Sequence, residues 1–224
     1  MAKSHLSKNK YLCIFNQSGT AEAVRGQVLG ALSKWNIIKK IRSKIALKHY
    51  DFNAARDITR EIVNGQSNEQ YAKIKVGLSN MSNSGCGVIA AYNALKLLGK
   101  EASLAAVALE FELNRMFFLF GFFGTKPKRI GDFFSKHSVD FESTKSMDEL
   151  CQLIFPGRVF VLAFWNSGKI FDGAHFVTVK CENHRRFVVY NAFSNSKTGK
   201  PYPSLPAVIG EGRLIRGYCL KERK

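Results

Sequence analysis

Acidic residues are scarce in this chain: 17 Asp and Glu stand against 34 Lys and Arg in 224 residues, a formal net charge of +17. Such an excess favours anionic partners, whether nucleic acid, anionic lipid, cell-wall polymer or acidic peptide, and does not choose among them. Plain solubility would produce the same figure. The signatures that would select nucleic acid are missing, since there is no helix-turn-helix, zinc-finger spacing or aromatic RNA-binding box. Long apolar runs are missing too: the longest, Met116 to Phe123 (MFFLFGFF), is eight residues, far below the roughly 20 that cross a bilayer. Met1 to Lys10 is basic and polar, and the YLCIF after it is too short for a signal peptide. The five cysteines (Cys13, Cys86, Cys151, Cys181, Cys219) are odd in number, dispersed and without a C-x-x-C pair. That suits reduced thiols in a cytoplasmic protein, with a leaderless secreted effector or toxin as the alternative.

What is there divides into two parts. Residues 1–77 read as a basic helical extension. Thr20 to Tyr50 has the spacing of one long helix with Ile38, Ile41 and Ile45 on a face, beside Lys34, Lys39, Lys40, Arg42, Lys44 and Lys48. A second helix is expected from Asp51 as N-cap to Gly65, followed by a polar linker, GQSNEQ. The basic helix suits a membrane surface, an anionic polymer, or packing of its isoleucine stripe on the following domain; packing is the expectation. Residues 78–224 run from helices to strands. Helices are expected over Gly85 to Leu98, Ser103 to Leu113 and Lys128 to His137, and a short one opens at the capping box Ser146-x-x-Glu149. Strands are expected over Arg158 to Trp165, Ala174 to Cys181, Arg186 to Phe193 and Arg213 to Leu220, an α+β order.

The stretch SNSGCGVIAAYNALKLLG sets Cys86 between two glycines at the start of a helix. Unpaired N–H groups and the helix dipole there favour thiolate, and the glycines would let a substrate approach and the chain turn. Position alone leaves a buried structural cysteine open. His175 opens an apolar strand, where a base that must meet a thiolate belongs, and Asn191 ends the next. A hairpin at Glu182 to Arg185 would put Val179 opposite Phe187 and His175 opposite Asn191. The Asn191 amide oxygen would then orient one imidazole nitrogen and aim the other at Cys86. Asn80, six residues before Cys86, could donate to an oxyanion, or serve as a turn asparagine.

With Asn80, GTKPKRIGDFF, GAHFVTV and FVVYNAF, that stretch resembles the papain-like cysteine peptidases over roughly residues 78–195, in particular the bacterial peptidases that trim double-glycine leaders from bacteriocin precursors. The resemblance implies a helical lobe carrying the cysteine helix, packed on an antiparallel sheet carrying His and Asn. It implies Cys86 as nucleophile, His175 as general base, Asn191 as orienter and Asn80 as oxyanion donor. Papain-like enzymes usually have Gln where Asn80 stands, and the leader peptidases have Asp at Asn191. The expected function is a thiol-dependent hydrolase of peptide or amide bonds acting through an acyl-enzyme, with a peptide or protein substrate and no cofactor or metal. An acyltransferase of the same fold, or an inactive basic module that binds an anionic partner, remain alternatives. Cys181-x-x-His184 has half of a zinc spacing and no second pair nearby. Cys13, Cys151 and Cys219 read as core thiols. The aromatic run Phe117 to Phe123 reads as core or cleft lining.

Overall fold

The computed structural model describes residues 21–32, 37–57, 61–167, 173–192 and 198–222. Two helices come first, α1 (Ala21–Leu32) and α2 (Ile37–Ala54). A short helix α3 (Glu69–Ala72) and an antiparallel pair, β1 (Lys75–Val76) and β2 (Ser79–Asn80), lead into α4 (Met81–Ser84) and α5 (Cys86–Leu97). Next come α6 (Leu104–Leu113) and α7 (Ile130–Lys136), the latter entered through a 3-10 turn at Pro127–Arg129. The chain continues through β3 (Val139–Thr144), α8 (Met147–Gln152), β4 (Val159–Trp165), β5 (Ala174–Asn183), β6 (Arg186–Tyr190), β7 (Lys200–Tyr202), α9 (Leu205–Ile209) and β8 (Arg213–Glu222). Six strands form one antiparallel sheet in the order β3-β8-β4-β5-β6-β7, so the architecture is α+β.

The sheet is covered on both faces, which explains why β4 reads VFVLAFW without polar alternation. Val159, Val161 and Ala163 face the cluster built on Val88, Ile89 and Tyr92 of α5, while Phe160, Leu162 and Phe164 face Leu150 of α8 and Leu205 of α9. Helix α5 is tied to the sheet at mid-helix by the Thr178 hydroxyl, which donates to the Ala90 carbonyl at 2.9 Å. Ser103 caps α6 by accepting from the Ala106 N–H. The expected capping box at Ser146 is half made: Ser146 accepts from the Glu149 N–H at 3.3 Å, but the Glu149 carboxylate takes the Thr144 hydroxyl.

Four sequence expectations are corrected. The helix expected over Thr20 to Tyr50 is two helices, with 33–36 outside the described residues, and α2 runs through Asp51 to Ala54. Asp51 starts no new helix. It pairs with Arg25 of α1 at 3.3 Å, while Tyr50 and Asn53 hold the last turn of α2 in the interior; residues 61–65 are irregular. The isoleucine stripe does not pack: Ile37, Ile38, Ile41 and Ile45 are 73, 60, 54 and 45% exposed. The face that packs carries Ala46, Leu47 and Tyr50, which meet Ala105, Ala106 and Leu109 of α6. Finally, the β5–β6 register is displaced by two, with Val179 opposite Val189 and Cys181 opposite Phe187. A tight turn at His184 and Arg185 and an irregularity between Cys181 and Asn183 absorb the difference.

Residues 61–77 enter the main core through Val63, Tyr71, Ile74 and Val76. Two buried asparagines fasten this irregular backbone by offering a donor and an acceptor at once, as a strand neighbour would. Asn93 accepts from the Val63 N–H at 2.8 Å and donates to the Val63 carbonyl at 2.7 Å. Asn53 does the same for Lys75, at 2.7 and 2.9 Å. Among the described residues no helix is long and apolar enough to cross a membrane.

Candidate active site

Strand β5 outlasts its neighbour. The β5–β6 ladder stops at Thr178 and Tyr190, so the two residues before it on β5, Val177 and Phe176, have no β6 partner on that edge. Asn191 turns the chain away with φ +62°, a left-handed conformation that asparagine tolerates better than most residues. Its amide nitrogen donates to the Phe176 carbonyl at 3.2 Å. The Phe176 N–H faces the Cys86 sulfur, which also meets the N–H groups of Cys86 and Gly87 in the first turn of α5. The backbone of one residue, Phe176, thus brings Cys86 and Asn191 to the same edge.

His175, next to Phe176, is 5% exposed, and its Nε2 lies 2.6 Å from the Asn191 main-chain carbonyl oxygen. A carbonyl only accepts, so Nε2 carries the hydrogen and the neutral ring has its basic lone pair on Nδ1. The ring stands edge-on to Phe164, directly across on β4, with centroids 6.1 Å apart. Asn191 therefore meets His175 through its main chain rather than through the side-chain oxygen expected from sequence. Among the described residues no hydrogen bond joins the Cys86 sulfur to the His175 ring. Asn80 caps α4: its side-chain oxygen accepts from the Asn83 N–H at 3.1 Å and the Ser82 hydroxyl at 2.7 Å, leaving only its amide nitrogen for a donor role.

Burial sets the charges. Cys86 is 6% exposed, and desolvation pushes its thiol up to about 11 against the partial relief of the Phe176, Gly87 and Cys86 N–H groups. Desolvation lowers His175 to about 4, opposed by the Asn191 carbonyl. Both groups are neutral at pH 7 in this closed arrangement. The glycines beside Cys86 do not leave open space, contrary to the expected substrate approach. A Cβ on Gly87 would overlap Thr125, and one on Gly85 would overlap Met81. They let α5 start hard against its neighbours.

Sequence reasoning missed Asn64. Its side-chain oxygen accepts from the Asn191 N–H at 2.7 Å, its amide donates to the Thr198 carbonyl at 2.6 Å, and its own carbonyl accepts from the Tyr71 hydroxyl at 3.1 Å. It holds from behind the residue that holds His175. No local pattern could have found it, because the pairing spans 127 positions. In the half zinc spacing, the Cys181 thiol is buried and donates to the Asn183 carbonyl at 3.4 Å; no group of three or more metal-binding side chains occurs among the described residues.

No protein-family model matches the chain, and no curated protein does. Among solved structures it is similar to the crystal structure of the peptidase domain of Streptococcus ComA, a bi-functional ABC transporter involved in a quorum-sensing pathway. The two share 17% identity with a TM-score of 0.43, over 61% of this chain and 90% of that one. A likeness of that size assigns no residue of this chain a role.

Proposed function

We propose that the chain is a papain-like thiol hydrolase that cleaves a peptide or amide bond. The observation that carries this reading is the meeting of Cys86, on the first turn of α5, with the Phe176 N–H immediately beside His175, whose Nε2 is held by Asn191. In this mechanism the Cys86 S–H proton passes to His175 Nδ1 and the thiolate attacks the carbonyl carbon. The imidazolium so formed is stabilised by the Asn191 carbonyl. The tetrahedral intermediate collapses to a thioester as His175 protonates the departing amine. Water, deprotonated by His175, then releases the acid. The Cys86 N–H and the Asn80 amide are the oxyanion donors.

Proton transfer requires the pKa values of Cys86 and His175 to converge. Since burial separates them, admitting water or a polar substrate to the site is the step that activates it. The same separation favours a second reading, an inactive basic module in which the two groups are core residues. An activated ester distinguishes the two. The hydrolase predicts a hydroxylamine-sensitive acyl adduct on Cys86, seen by mass spectrometry and lost in Cys86→Ala and His175→Ala, and release of new termini from a peptide library. No adduct and no cleavage would leave the binding module. An amide formed with an added amine acceptor would make the chain an acyltransferase.

A further inference from the structure

We infer that the exposed face of α2 and the Phe118–Phe123 loop form one docking surface for an anionic lipid bilayer. The helix has two apolar faces. One packs on α6; the other, roughly opposite on a 3.6-residue turn, carries Ile37, Ile38, Ile41 and Ile45 into solvent. Alongside lies the loop, with Phe118, Leu119, Phe120, Phe122 and Phe123 between 45 and 72% exposed. Leu119 and Phe120 adopt φ values of +37° and +59°, an unfavourable conformation for bulky side chains, and still present their side chains to water. The two elements are continuous. Arg42 of α2 sits 4.7 Å above the Phe120 ring, and Ile45, Leu78, Leu119 and Phe120 line one groove of about 550 Å³.

The charge around this patch names the occupant. Lys40, Arg42, Lys44 and Lys48 flank the isoleucines in sequence and on the helix, while Arg115, Lys126 and Lys128 flank the loop. Of the nearest acids, Glu112 is taken by His49 and the Gly77 N–H, and Asp51 by Arg25. A basic rim around exposed Ile and Phe complements anionic headgroups above an apolar interior. A ligand filling only the groove would leave Ile37, Ile38, Phe122 and Phe123 in water, because none of them lines it. A bilayer covers them all. The base of the loop reaches the candidate site, since Phe117 bridges Thr125, and Thr125 is the residue packed on Gly87. The inference stands whether or not Cys86 is a nucleophile.

Flotation of the full chain with phosphatidylcholine vesicles, with and without phosphatidylglycerol, tests it. Binding is expected to the anionic vesicles and to fall with salt. It should drop about tenfold or more in Phe122→Ser/Phe123→Ser and again in Ile38→Ser/Ile41→Ser, through lost apolar burial. These side chains make up the exposed patch, so the variants should keep the melting temperature of the parent. Failure to bind anionic vesicles would overturn the inference. So would binding that salt abolishes and neither double variant changes, which is what +17 alone would give. Binding to an acidic protein with none to vesicles would overturn it in favour of a protein partner.

Discussion

Alkylation of Cys86 against pH is the most direct reading of the closed site. With its thiol near 11, about one molecule in 3,000 is thiolate at pH 7.5, against about one in 30 for a thiol at the ordinary 9.0. A more basic thiolate is also a better nucleophile, which returns roughly a factor of eight of that hundredfold deficit. Ionisation therefore slows Cys86 about tenfold relative to an ordinary thiol, before the protection that comes from being 6% exposed. The assay is iodoacetamide labelling of the native protein from about pH 6 to about pH 11, read by peptide mass spectrometry, with the denatured chain setting the rate of each cysteine in the open. Half-buried Cys151 is the internal reference. Cys86 should lag at neutral pH and keep accelerating towards the top of the range, and His175→Ala should change little, since no charged pair precedes labelling. A midpoint below about pH 8, with Cys86 fastest of the five and slowed in His175→Ala, would refute this reasoning by showing that a thiolate–imidazolium pair already exists in the resting protein.

Asn64→Leu should cost about 1–3 kcal/mol in urea denaturation, because it strands the buried Asn191 N–H; no change would mean that Asn191 is held elsewhere. Burial lowers His175, so the native state resists its protonation. The stability it contributes is complete above its ordinary pKa of 6.5 and is lost as pH falls towards about 4, by at most about 3 kcal/mol. The urea midpoint of the parent should accordingly fall more steeply between those values than that of His175→Gln, and parallel slopes would remove the assignment. Gly87→Ala should destabilise by about 1–3 kcal/mol through overlap with Thr125. Part of that loss should return in the double variant with Thr125→Ala, measured as a double-mutant cycle; additivity would place the strain elsewhere.

How much was legible depends on whether the information was local. Helices α5 and α6 show in the spacing of Val88, Ala91, Tyr92 and Leu95 and in the Ser103 cap, and β4 and β5 show as apolar runs bounded by turns. The Cys86, His175 and Asn191 neighbourhood was legible from helix start, strand start and strand end. What failed was mutual geometry. The tight turn at His184 and Arg185 and the irregularity beside Cys181 together shifted the β5–β6 register by two, and nothing between 174 and 191 announces it. The isoleucine stripe of α2 misled because hydrophobic spacing says that a face exists, not which of two faces is covered. Asn64, Asn53 and Asn93 were illegible for a further reason: each satisfies backbone from a distant segment, and an asparagine in an irregular stretch looks the same whether it caps its own turn or clasps another strand.

The site sits where the sheet stops being a sheet, and this accounts for both its order and its silence. In the ladder, the N–H and carbonyl of Phe176 would be used up by β6. Because β6 ends at Tyr190 and Asn191 turns away, the same two groups hold a sulfur and an amide, and the carbonyl of Asn191 becomes available to an imidazole. Pairing these groups in this way offsets the cost of opening the ladder. It also buries Cys86 and His175 deeply enough to keep both uncharged. The geometry that assembles the pair is thus the geometry that keeps it uncharged, and in the proposed hydrolase hydration or substrate entry at that edge is the activating step.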